Sequence, residues 1–206
     1  QRLDNGDDGM LASNGDLGIS AQHLGNGGGN VQQAGSGSLL ISATELQGQG
    51  GNILSNGSLL LRGDITNLSG ATTAAQRVDV QTGDLLNAGG SLTSAGTGAM
   101  RLQVARTLDN SAGILGSNGA LAISSRRLLN NGGSMVAAGS DETSLRIDDA
   151  LDNSGGTLSG NGDLRIETGT LLNTGGSIDH AGNGRLQIDT DTLQGAGSIA
   201  SNGLLH

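Results

Sequence analysis

Cysteine, proline, lysine and all three aromatic residues are missing from this chain, and each absence closes a route. Without Phe, Trp or Tyr, an ordinary globular core filled by rings is excluded, so whatever is buried must be thin and aliphatic. Without cysteine there is no disulfide framework. The ten basic residues are all arginine, set against nineteen acidic ones for a formal charge of -9. No basic stripe is available to neutralise phosphates, which argues against a nucleic-acid partner. No apolar run approaches the roughly 20 residues a membrane helix needs, and Gln1-Arg2-Leu3-Asp4 lacks the apolar core of a signal peptide.

What is abundant is glycine, 39 residues of 206, set within a repeat of about 21 residues. Leu3, Leu24, Leu46, Leu68, Leu85, Leu108, Leu128, Leu151, Leu171 and Leu193 mark successive starts. Two residues after each comes Asn or Gly: Asn5, Asn26, Gly48, Gly70, Asn87, Asn110, Asn130, Asn153, Asn173 and Gly195. Periods of this length belong to stacked solenoids, whose coils bury a face only against their neighbours. The repeat is in phase at both ends, so the natural protein is expected to continue in both directions, residues 1–206 being a single segment of a longer array.

Within the coil that starts at Leu151, the alternation of Leu158, then Leu164 and Ile166, with polar neighbours predicts short half-buried strands, and Gly155-Gly156 and Asn161-Gly162 supply turns. One core column is expected to run Leu17/Ile19, Leu39/Ile41, Leu59/Leu61, Val78/Val80, Leu102/Val104, Leu121/Ile123, Leu145/Ile147, Leu164/Ile166 and Leu186/Ile188. A second runs Met10, Val31, Ile53, Leu92, Leu115, Met135, Leu158, Ile178 and Ile199. Stacked at the parallel-strand spacing of about 4.8 Å, about ten coils make a rod of roughly 45 to 50 Å. The Asn column, including Asn87, Asn110, Asn130, Asn153 and Asn173, is read as corner chemistry in which Asn and Gly tolerate positive φ, with stacked amides able to bond from coil to coil. From Leu85 onward coil lengths alternate near 23 and 20, a two-coil superrepeat. The coil at 68–84 departs: it is short, lacks the double glycine, and places Ala75 where a large aliphatic residue is expected.

At Leu108-Asp109-Asn110, at Leu151-Asp152-Asn153-Ser154-Gly155-Gly156-Thr157-Leu158 and at Leu171-Leu172-Asn173-Thr174-Gly175-Gly176-Ser177-Ile178 the sequence resembles filamentous haemagglutinin repeats, found in the large exoproteins of bacterial two-partner secretion, adhesins and contact-dependent growth inhibition effectors among them. The resemblance covers nearly the whole chain. It implies an all-β, right-handed parallel β-helix, secreted to the bacterial cell surface through a cognate outer-membrane transporter. It also implies a stalk, since no motif of a secretion, toxin or receptor-binding domain is present.

The residues themselves offer little chemistry. His23, His180 and His206 are far apart in repeat number and read as surface polar residues without metal-ligand spacing. The pair Asp141-Glu142 lies in an enlarged turn, a solvated loop rather than a calcium site. Asp148, Asp149, Glu167, Asp189 and Asp191 are dispersed over successive coils, so no catalytic constellation is expected, and no cofactor. Outward Leu40 and Leu60 form a small apolar patch. The sequence therefore predicts a passive spacer; the rival is a module in which the irregular coil or the acidic loop recognises a receptor or glycan on a target cell.

Overall fold

In the computed structural model, which describes residues 1–206, the chain is strand throughout, with no helix. Its strands form a 14-stranded and a 10-stranded sheet, and the pairings are parallel, as in Leu17↔Leu39 and Leu164↔Leu186. This is a β-solenoid of about ten coils. Each coil contributes one long strand bent over two faces and one short strand on the third. Long strands such as Thr143–Asp152 and Leu164–Leu172 turn their corner without a break, helped by register shifts between Ser125 and Arg127 and between Ile147 and Ala150. In three central coils the long strand divides, as in Ser58–Arg62 with Ile65–Asn67 and Arg77–Thr82 with Asp84–Leu86.

Alternation explains the burial. Leu164 and Ile166 are fully buried while Arg165 and Glu167 between and after them face outward, because successive side chains leave opposite sides of a strand. One aliphatic cluster of 36 residues runs the length of the molecule. Leu39, Ile41, Leu102, Val104, Leu145, Ile147, Leu158, Leu164, Ile166 and Leu186 all belong to it; Ile188 is half-buried and packs against it. Their columns differ from the expected ones in two coils. Val80 pairs Leu102 and Met100 pairs Leu121, so Met100/Leu102 fill the columns assigned to Leu102/Val104. Likewise Thr143/Leu145 stand where Leu145/Ile147 were placed. A period-two pattern allows a slip of two residues without exposing any apolar side chain, so alternation alone does not determine this register. At the first coil it is Leu11, not Met10, that pairs Val31, and Met10 is exposed.

The irregular coil changes most. Strand pairing sets Thr66 opposite both Leu46 and Leu85, so Thr66 and not Leu68 begins this coil. Leu68 falls in the Asn column and is fully buried there. Thr73, opposite Ile53 and Leu92, occupies the large-aliphatic position, while Ala75 pairs Ser94 in a column of small residues. The aliphatic deficit is real, but it lies at Thr66 and Thr73.

Candidate functional site

The Asn column is where buried polar side chains follow one another coil after coil. Asn87, Asn110, Asn130, Asn153 and Asn173 are 0 to 2 % exposed. The Nδ2 of each donates to the Oδ1 of the next at 2.8, 2.7, 2.7 and 2.8 Å. The same Nδ2 groups reach backbone carbonyls, as Asn130 does to Thr157 at 3.1 Å and Gly133 at 3.3 Å. Asn5 and Asn26 form a separate two-rung piece at 2.7 Å. A buried amide left without partners would cost a few kcal/mol; stacked one coil apart, each rung satisfies its neighbour.

The expected reason for these asparagines needs correction, because none of them has positive φ. That conformation falls two residues later, at Gly28, Gly50, Gly70, Gly89, Ala112, Gly132, Gly155 and Gly175. Gly70 therefore belongs to the turn column, with Leu68 at the Asn position. The following glycine has a different cause: a Cβ on Gly133 would lie 2.1 Å from the Asn110 carbonyl oxygen and 2.6 Å from Asn130 Oδ1. The ladder thus requires the second glycine, but not the reverse: Gly51 is kept in the coil whose Asn position is Gly48, because a Cβ there would lie 2.1 Å from the Asn26 carbonyl oxygen. In the irregular coil both lapse together, where Leu68 and Ala71 replace them above Gly48. The break leaves a trace: the buried Asn87 Oδ1 has no donor, since the side chain one coil before it is Leu68.

Sequence reasoning took Asn161-Gly162 as a turn and missed that it belongs to a second asparagine set. At another corner the Nδ2 groups of Asn56, Asn118, Asn161 and Asn202 donate to the carbonyls of Ala34, Ala95, Ala138 and Ala181 at 2.7, 2.9, 3.1 and 3.0 Å. Each accepting alanine opens a longer loop in the preceding coil, so tight Asn-Gly corners alternate with enlarged ones. This accounts for the alternating rung separations of 23, 20, 23 and 20 residues in the long ladder. The recurring Asn-Gly pair, preceded by Ser at Asn56, Asn118 and Asn202 and by Gly at Asn161, was the available signal.

The charged groups are dispersed along the rod. Arg106 spans three coils: its Nε donates to Asp84 at 2.9 Å and its Nη1 to Asp64 at 2.8 Å. That guanidinium, with the Thr107 N–H second, holds the Asp84 carboxyl below its ordinary range, and the two carboxylates raise the Arg106 pKa. The Ser38 N–H at 2.7 Å similarly lowers Asp16. Asp148, Asp149, Glu167, Asp189 and Asp191 remain spread over successive coils, and nowhere do three His, Asp or Glu side chains converge. Of the histidines, His23 lies 2.9 Å from Glu45 at the surface. His180 contradicts the surface reading: it is 2 % exposed, its Nδ1 lies 2.9 Å from Ser201 Oγ, and its Nε2 has no partner. Its strand position faces inward, and Gly160, one coil before, is its pairing neighbour.

Such features define a class first: a parallel repeat solenoid whose buried polar groups serve the stacking of its coils. Haemagglutinin repeats are matched over residues 2–69, 34–103, 97–155 and 144–206, and the chain belongs to the haemagglutinin repeat family. That family is one of filamentous, adhesin-like proteins of two-partner secretion, secreted and associated with the surface. No curated protein and no solved structure matches the chain.

Proposed function

We propose that these coils are a non-catalytic stalk, which holds a distal adhesive or toxic module away from the producing cell after export through a cognate outer-membrane transporter. The observation that carries this reading is the uninterrupted stack: cross-coil pairing and one aliphatic core run from end to end, while the buried asparagines are used in joining coil to coil. Reach then follows from coil number, and rigidity from the parallel ladders along the axis.

A stalk tolerates shortening by whole superrepeats. Deleting Asn110 to Asp152 joins Asp109 to Asn153 and preserves the alternation of corners. The shortened chain should remain β-rich and lose about 10 Å of rod length by small-angle scattering. In the complete exoprotein, adhesion or toxin delivery should decline gradually as further pairs are removed. Abrupt loss with this one pair, in a chain that still folds, would instead favour a receptor- or glycan-binding module.

A further inference from the structure

All but one of the charged side chains lie on two of the three faces and at the corners. The ten short strands, from Met10–Ser13 to Ser198–Ser201, contain no arginine and one carboxylate, Asp179. The neighbouring face carries Asp79, Arg101, Arg146, Arg165, Glu167 and Asp189 on its outward positions. Near the middle of the neutral face, Ile114 and Val136 stand 47 % and 39 % exposed in adjacent strands. Gly116 lies beside Val136 in the pairing, and its missing side chain leaves a dent of ≈ 250 Å³ bordered by Thr93, Ser117 and Val136. Only Thr93 Cγ2, at 3.4 Å, would meet a Cβ there.

We propose that this face pairs with the same face of a second copy of the chain, so that stalks associate side by side. Two molecules of charge -9 repel one another as wholes, and this face is where close approach brings the fewest charged side chains together. The pairing is isologous, and a knob beside a hole on one copy meets a hole beside a knob on the other. Ten strands about 4.8 Å apart, each four residues of about 3.3 Å, offer roughly 600 Å² per copy. A total near 1,200 Å² is the lower edge of specific interfaces, so the association is weak and reversible. Asp141, Glu142 and Asp163 border the face at one corner, so salt strengthens it by screening their repulsion.

The pairing is independent of the stalk reading, since a binding module could associate the same way. Sedimentation velocity over a concentration series tests it, at low salt and at 1 M, where the screening length is about 3 Å. Dimer should form at the higher concentrations and increase with salt. Val136→Glu or Ile114→Glu should return the protein to monomer with an unchanged β spectrum, and Leu40→Glu on the charged face should leave association intact. Ser159→Glu, also outward on the neutral face and beside Asp179, supplies a second disruption if either variant misfolds. Monomer at every concentration and salt, or equal loss with Leu40→Glu, overturns the proposal.

Discussion

Coils 87–173 and coils 46–85 share one backbone path and differ in what holds it. In the first region five buried amides are joined rung to rung, each coil carries a second glycine where the chain passes the carbonyl before it, and tight corners alternate with enlarged ones. In the second region Gly48 and Leu68 replace the amides, Ala71 replaces the second glycine, and Thr66 and Thr73 take aliphatic positions. The Thr73 hydroxyl is buried without a partner, whereas Thr66 bonds Thr82 at 3.1 Å. The alternation fails there too, because Gln76 makes its corner without an Asn-Gly pair and follows the tight corner at Asn56-Gly57. Parallel backbone pairing is therefore enough to continue the solenoid, and the ladder, second glycine and corner alternation behave as a separable reinforcement.

The largest effect that would break the reinforced region is a charge in its core. Ile166→Asp should destabilise by about 3 to 5 kcal/mol, since it places an unpaired carboxylate between two coils. Arg165→Ser should change stability by no more than about 1 kcal/mol, its ion pairs with Glu167 and Asp189 being partly solvated. Thermal melts of the two variants check the contrast; equal effects would mean that the strand is turned over. Next comes Gly133→Ala. The added methyl has backbone in its way and forces the turn apart, costing about 2 to 4 kcal/mol. Ala71→Gly in the unreinforced region should cost only about 0.5 to 1 kcal/mol, the conformational penalty of glycine.

Asn130→Ala ranks below these. It removes the acceptor for Asn110 and the donor to Asn153 Oδ1, leaving two half-satisfied amides, for a loss of about 2 kcal/mol by denaturant titration. Native-state amide exchange then compares the regions directly. Exchange within Leu68 to Gln76 should be the fastest among the internal coils, with an opening free energy lower by about 1 to 2 kcal/mol than in Leu158 to Glu167. Equal protection would show that the Leu68 and Thr73 substitutions pack as well as the ladder they interrupt.

The strand alternation, the coil length and the Asn column outside the irregular coil were readable from the sequence, because each is a repeat that local chemistry enforces; within that coil Gly70 was misplaced in the Asn column, where Leu68 stands. Register was not readable. Leu68 looks like a coil start because a leucine is expected there, and only cross-strand pairing shows that Thr66 holds that place. The function of the asparagines was half legible: their recurrence was plain, but that φ > 0 belongs two residues on is a property of the turn path, not of composition. His180 was misjudged because a lone polar residue looks like surface unless its column is known to face inward; the coils just before it hold Ser117, Ala137 and Gly160 in that column.

The smallest effect is the most specific test of the comparison, namely restoring reinforcement to the coil that lacks it. Leu68→Asn sets a donor beneath the orphaned Asn87 Oδ1 but moves the orphan one coil down, to its own Oδ1 above Gly48, so the gain is one amide bond, about 1 kcal/mol. It also gives up a fully buried leucine, a loss of about 1.5 to 3 kcal/mol. Alone it should come out destabilising, because the new amide oxygen meets the Ala71 methyl: at the equivalent places a Cβ on Gly90 would lie 2.7 Å from Asn87 Oδ1, and one on Gly156 2.8 Å from Asn153 Oδ1. Ala71→Gly removes that collision. The double variant should therefore be more stable than the two single changes sum to, by about 1 kcal/mol in a double-mutant cycle. Additive changes would show that asparagine and second glycine are independent habits of the repeat; a favourable coupling confined to this pair would show that an asparagine at this corner depends on the glycine three residues on.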